Sequence, residues 1–155
     1  MSKMKFIVIG CGNIAQRCSI PALMNSGATE VVCVVDTDER KREIVEGRFE
    51  LTFETDLHHV LETYEFESVY ISTPNAIHVQ IVEQVAPYRK NILCEKPLAG
   101  SMADAERIAE LGKQYNIPIF EGFNNKYKSQ QVIWGSKGLL SLERAYALPP
   151  ISNRR

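Results

Sequence analysis

The sequence predicts an α/β domain built on a doubly wound, mostly parallel sheet, followed by only the start of a second α/β domain. Three observations predict this. Strand-like and helix-like segments alternate through roughly the first 120 residues, the rhythm of βαβ units. The strand segments are continuous apolar runs, as expected where helices cover both faces of a sheet. The first strand also ends in a glycine-rich turn that opens a helix, the local arrangement found at the ligand edge of open parallel sheets.

Lys5 to Ile9 is a short apolar run ending at Gly10. Asn13 to Ser26 has helical patterning with Gly27 as its stop. Pro21 falls inside that pattern and should kink or split the helix near Ser19–Ile20. Glu30 to Val35 is a β-branched strand ending at Asp36, and Asp38 to Gly47 is a charged helix. Leu51 to Phe53 is a short strand, and Asp56 caps a helix to Tyr64. Glu67 to Ser72 is a strand, and Asn75 to Ala86 is a helix with Ile77, Ile81, Val82 and Val85 on one face. Asn91 to Cys94 is a strand. Ser101 and Asp104 resemble a capping box opening a helix to Tyr115 with Ile108, Leu111 and Tyr115 inward. Ile117 to Phe120 is the next strand. After Tyr127 the rhythm fails. Gln130 to Gly135 reads as the end of a helix, and Leu139 to Leu148 as a strand without a partner. Such a strand is expected to be disordered or to pair with a copy from another chain, giving a homo-oligomer through the C-terminal strand.

Composition narrows the function classes. Lys and Arg number 18 against 19 Asp and Glu, so no basic excess points to nucleic acid or an anionic membrane surface. No apolar run approaches the length of a membrane span. The run from Phe6 to Ile9 is too short for a signal-peptide core, which makes the cytoplasm the expected location. Cys11, Cys18, Cys33 and Cys94 lack C-x-x-C spacing, and His58, His59 and His78 are not near them in sequence. No metal site is therefore expected, and free buried thiols are. His58 and His59 read as a solvated helix face.

The strongest motif is Gly10-Cys11-Gly12-Asn13-Ile14-Ala15, the G-x-G-x-x-A form of the dinucleotide fingerprint, placed between a strand and a helix. Gly10 permits the tight turn. Gly12 lets the backbone approach a pyrophosphate, which free N–H groups attract. Ala15 is small enough for close helix–strand packing. Asp36 closes the following strand at about the spacing of the ribose-binding acid, with Thr37 beside it. A carboxylate there accepts ribose hydroxyls and repels a 2′-phosphate, favouring NAD over NADP. Arg40 and Lys41 soften that preference if they reach back. A plain tight turn, with Asp36 capping the next helix, is the bland alternative.

Ser72, Thr73, Asn75 and His78 follow the fourth main strand, and strand carboxyl ends are where such sheets bind ligands. Pro74 ends that strand sharply. Thr73 or Asn75 faces the dinucleotide in this reading; for His78, capping or packing competes with ligand contact. Glu95-Lys96-Pro97 follows the next strand, and Lys96 projects from its end, able to hydrogen-bond a substrate hydroxyl or the nicotinamide ribose. A surface Glu–Lys pair is the alternative.

Together these segments resemble the N-terminal half of the glucose–fructose oxidoreductase / inositol dehydrogenase / rhizopine-catabolism (Gfo/Idh/MocA) family, over roughly residues 4 to 128. The carriers are the glycine turn, Val34-Val35-Asp36, Ile71 to His78, Leu93 to Ala99, and Glu121-Gly122-Phe123-Asn124-Asn125-Lys126-Tyr127. The resemblance implies a Rossmann fold in residues 1–125, with 126–155 as linker and first strand of a truncated substrate domain. It implies hydride transfer between NAD, less readily NADP, and a hydroxyl-bearing carbon of a sugar, cyclitol or related substrate. Lys96 would be the catalytic residue, beside the nicotinamide, and Asn124 would lie near nicotinamide or substrate. The chain looks like half an enzyme and catalytically incomplete by itself. Two alternatives are a standalone nucleotide-binding or regulatory module and an S-adenosylmethionine-dependent methyltransferase. Ala15 and Glu95-Lys96-Pro97 stand against the methyltransferase.

Overall fold

In the computed structural model, residues 2–122 are described in full, and 132–135 and 138–141 by their backbone. Eight strands form one sheet: β1 (Met4–Ile9), β2 (Thr29–Val35), β3 (Phe53–Glu54), β4 (Ser68–Ile71), β5 (Asn91–Glu95), β6 (Ile119–Gly122), β7 (Val132–Gly135) and β8 (Gly138–Ser141). Their order across the sheet is β3-β2-β1-β4-β5-β6-β7-β8. The first six are parallel. The chain therefore winds outward from β1 in both directions, and the strand order reverses between β1 and β4. Open sheets of this kind offer a crevice at such a reversal, at the carboxyl ends of the strands.

Helices α1 (Ile20–Asn25) and α2 (Arg42–Phe49) cover one face; α3 (Leu57–Thr63), α4 (His78–Val85) and α5 (Met102–Tyr115) cover the other. Strand alternation divides the core accordingly. Ile7, Ile9, Val69, Ile71, Ile92 and Cys94 face α3–α5, while Phe6, Val8, Val34, Phe53 and Tyr70 face α1 and α2. The β1–β2 register shifts between Phe6 and Ile7, so Val32 and Cys33, neighbours in sequence, both pack toward α3–α5.

The sequence signals act where they stand. Asp56 Oδ1 accepts the His59 N–H at 3.1 Å, and Ser101 Oγ accepts the Asp104 N–H at 3.1 Å, capping α3 and α5. Gly27 adopts φ +72° just after α1. The break anticipated at Pro21 occurs: a π-helical turn, Ala15–Ser19, ends where α1 begins, with Pro21 in the first turn of α1. Ile108 and Leu111 are buried on α5.

Three readings are corrected. Ile77 is exposed, and His78 takes the inward position beside Val82 and Val85, because a short 3-10 turn over Asn75–Ile77 shifts the helical phase before α4 begins. Val132–Gly135 is a strand and not a helix end. Gly138–Ser141 is consequently not an orphan: it pairs antiparallel with β7, which joins β6 through Ile119 and Trp134. The Gly-Ser-Lys-Gly stretch between them is a hairpin signal that the helix assignment concealed. This pairing gives β8 one partner and leaves it as the edge strand of the sheet. Residues 142–148 lie outside the described residues. Among the described residues no helix is long and apolar enough to cross a membrane.

Ile71 is fully buried in the strand that borders the crevice. Ile71→Ala should lower unfolding free energy by about 2–5 kcal/mol, read as a reduced urea midpoint with an unchanged m-value.

Candidate dinucleotide site

The site assembles at the carboxyl ends of β1, β2, β4 and β5. Backbone hydrogen bonds lock three of these ends together. The Gly10 N–H donates to the Val35 carbonyl at 2.7 Å, the Ser72 N–H to the Ile9 carbonyl at 2.7 Å, and the Asp36 N–H to the Glu54 carbonyl at 3.1 Å. Gly10 adopts φ +95°. A Cβ built there would lie 2.7 Å from the Ser72 carbonyl oxygen and 2.8 Å from Thr73 Cγ2. The chain can turn only because this residue has no side chain. Gly12 is the opposite case. A Cβ at Gly12 would meet nothing within 4 Å, so the turn faces open space there.

Asp36 is folded onto this turn. Its Oδ2 accepts the Cys11 N–H at 2.7 Å, and its Oδ1 accepts the Asp38 N–H at 2.9 Å. The acid therefore both braces the glycine turn and caps the chain that follows it. Lys41 reaches back to Oδ2 at 2.6 Å. Arg40 instead grips Asp38, with Nε to Oδ1 at 2.8 Å and Nη2 to Oδ2 at 2.9 Å. Burial alone would push the Asp36 carboxyl up. The Lys41 ammonium and the Cys11 and Asp38 amides outweigh it and hold the group below its ordinary range. Thr37 is exposed beside it, as are Asn13 and Ile14 on the glycine turn.

On the other side of the crevice, Ser72 presses its carbonyl against Gly10, and Thr73 places its methyl there. The Thr73 hydroxyl is buried with no hydrogen-bond partner among the described residues. Asn75 is half-buried close to Gly100. His78 is only 1% exposed, with Nε2 2.9 Å from the Thr73 carbonyl and Nδ1 3.2 Å from the Leu98 carbonyl. Its ring bridges the loops after β4 and β5, the packing role weighed for it against ligand contact. Glu95 closes β5, and Lys96 is exposed, joined to Pro97 by a cis peptide bond. Glu121 Oε1 accepts the Leu98 N–H at 2.8 Å and holds that loop against β6. Asn124 lies outside the described residues.

Cys11, Cys33 and Cys94 are buried, and Cys18 is exposed, which corrects the expectation of four buried thiols. Burial pushes Cys33 and Cys94 up to about 12, and Cys11 also upward. Cys11 is thus a poor nucleophile despite its place in the turn. Sequence reasoning missed the hydroxyls of Ser19 and Tyr70, which join Glu95 through hydrogen bonds. The signal was available: a tyrosine inside an otherwise apolar strand needs a partner for its O–H.

These features fit a dinucleotide: an open glycine turn, a carboxylate at its edge, and a buried hydroxyl without a partner. The fold and the turn define a dinucleotide-binding domain of the Rossmann type. Residues 4–123 match the GFO_IDH_MocA family, described as an oxidoreductase family with an NAD-binding Rossmann fold, and the chain belongs to that family. It is 30% identical over 116 residues to dTDP-3,4-didehydro-2,6-dideoxy-alpha-D-glucose 3-reductase of Saccharopolyspora spinosa, covering 75% of this chain and 35% of the relative. It superposes with TM-score 0.73 at 26% identity on KijD10, a 3-ketoreductase from Actinomadura kijaniata solved with NADP and TDP-benzene, over 79% of this chain and 38% of that one. The WlbA dehydrogenase of Bordetella pertussis, solved with NADH and UDP-GlcNAcA, shares the fold with TM-score 0.77 at 22% identity, over 83% of this chain and 39% of that one. The chain spans about a third of the length of the first of these relatives.

Two outcomes test the geometry. The depressed Asp36 carboxyl stabilises the fold above the ordinary carboxylate range, and that contribution is lost as pH falls through its folded value. Asp36→Asn should therefore be less stable than wild type by a constant margin at neutral pH. Urea titrations should show the margin closing below about pH 4. Gly10→Ala, forced against backbone at 2.7 Å, should lose about 2 kcal/mol or more of stability, measurable by thermal melting.

Proposed function

We propose that this chain is the nucleotide-binding lobe of an NAD(P)-dependent oxidoreductase acting on a hydroxyl-bearing carbon of a sugar, cyclitol or related polyol. The observation that carries the proposal is Asp36 seated on the Cys11 amide inside the glycine turn. Family membership supports it, as do relatives whose names describe sugar and nucleotide-sugar reductases. Gly10, Gly12, Asn13 and Ile14 would receive the pyrophosphate, Asp36 and Thr37 the adenosine ribose, and Ser72, Thr73 and Asn75 the central part. Glu95, Lys96 and Asn124 belong to the nicotinamide end, with His78 acting through the loops it braces. Bound there, a nicotinamide dinucleotide supplies a two-electron acceptor for the substrate carbon's hydride.

In this proposal Lys96 hydrogen-bonds the substrate hydroxyl and carries its proton away during oxidation or returns it during reduction. A second, substrate-bearing lobe follows in this proposal; β7 and β8, two strands within the stretch expected to be its linker and first strand, extend the sheet of the first lobe. Substrate orientation depends on that lobe, and with it most of the rate.

NAD is the preferred cofactor in this reading, because Asp36 accepts both ribose hydroxyls and repels a 2′-phosphate. Lys41 lies on the same carboxylate and offsets part of that repulsion. Fluorescence titration should show NADH binding more tightly than NADPH by no more than about tenfold, a difference of about 1.4 kcal/mol. Asp36→Ala should weaken NADH and narrow or invert the preference. S-adenosylmethionine should not compete. A folded sample that binds neither nicotinamide nucleotide refutes the proposal.

A further inference from the structure

Tyr70 is an anomaly in its strand. The four residues of β4 are all buried, and Tyr70 lies among Phe6, Val8, Val34 and Ile20, where phenylalanine would pack equally well. Its hydroxyl has a specific use. It donates to Glu95 Oε1 at the end of the neighbouring strand and accepts from Ser19 Oγ at 2.7 Å. The other oxygen of Glu95, Oε2, accepts the Lys96 N–H at 3.1 Å. Gly122 is the partner of Glu95 in β6. One phenol therefore links three elements: the helical turn after the glycine motif, the β4 strand, and the β5 end that carries Lys96.

The chemistry of the pair explains why such a link is useful. A glutamate next to a lysine at a strand end can close an ion pair that occupies the ammonium. Glu95 makes no ion pair with Lys96 among the described residues; its carboxylate is turned to the backbone instead. The phenol keeps its proton for this task, because burial and the adjacent Glu95 push it well above the ordinary tyrosine range.

We infer that Tyr70 is a positioning residue. It holds Glu95 against the Lys96 backbone, so that the Lys96 ammonium stays available to a ligand at the end of β5, and through Ser19 it ties that turn to the helix leaving the glycine motif. This inference rests on the reading that Lys96 faces the nicotinamide end.

The test uses the full chain and two ligands, NADH and ADP-ribose, which shares the adenosine diphosphate ribose portion and lacks nicotinamide. Tyr70→Phe removes one hydroxyl and keeps the ring. The expected result is an NADH affinity lower by about three- to tenfold, the scale of one hydrogen bond. Calorimetry should show ADP-ribose affinity unchanged. In a Lys96→Ala background the same substitution should have no effect on NADH. Equal weakening of both ligands would make Tyr70 a general packing residue and overturn the inference. Unchanged NADH affinity, or an undiminished effect without Lys96, would also overturn it. Glu95→Gln carries no charge to pair with Lys96, so in that background Tyr70→Phe should no longer weaken NADH, and an undiminished effect there refutes the inference. Lys96→Ala alone should weaken NADH and spare ADP-ribose, and unchanged NADH affinity in that variant refutes the inference even if Tyr70→Phe does not fold. Wild-type chain that binds neither ligand overturns the cofactor reading itself, and the inference with it.

Discussion

The structure turns on a bend with no room for a side chain. Gly10 must reverse the chain directly against the Ser72 carbonyl, and its own N–H is committed to the end of β2. The next amide, on Cys11, would be left pointing into a crowded corner if Asp36 did not accept it. A buried N–H without a partner is costly. The acid is thus needed for the bend before any ligand is considered. Once the bend is made, the ends of β1, β2 and β4 are fixed relative to one another. The face of Gly12 is open, and a ligand can approach there.

This dual use explains why part of the site was legible in the sequence. Gly10, Gly12 and Asp36 are required by local backbone geometry, so their spacing carries information without any tertiary knowledge. The same holds for the caps at Asp56 and Ser101 and for the helix break at Pro21, each of which acts within a few residues. What sequence reading lost depends on contacts across strands. Tyr70 meets Glu95 only because β4 and β5 are neighbours in register. His78 turns inward, and Ile77 outward, because a 3-10 turn shifts the phase of α4. Val132–Gly135 has enough helical pattern to mislead, and its strand identity comes from pairing with β6 and β8. The spacing puts Lys41 close to Asp36 in sequence; the ion pair itself depends on the 3-10 turn over Glu39–Lys41 that brings its chain around.

The two ends of the crevice solve one electrostatic problem in opposite ways. Each places a carboxylate close in sequence to a lysine. At the β2 end the pair is closed: Lys41 lies 2.6 Å from Asp36, with the carboxylate only 11% exposed. At the β5 end the pair is open, with Glu95 bound to Tyr70 and to backbone while Lys96 stands in solvent. The proposed function gives this difference a use. In that proposal a ribose diol would donate hydrogen bonds to the acid, and Lys41 would shield its charge until hydroxyls replaced it. The amides of Cys11 and Asp38 would hold the carboxylate in place through that exchange, which would keep the ordering cost of binding small. At the β5 end the useful member would be the ammonium, and a glutamate left free to swing would neutralise it. Tethering the glutamate through a neutral phenol removes that competitor and places no second cation beside Lys96. The arrangement of partners, and not the presence of acid and base as such, determines which charge each end of the crevice offers to a ligand.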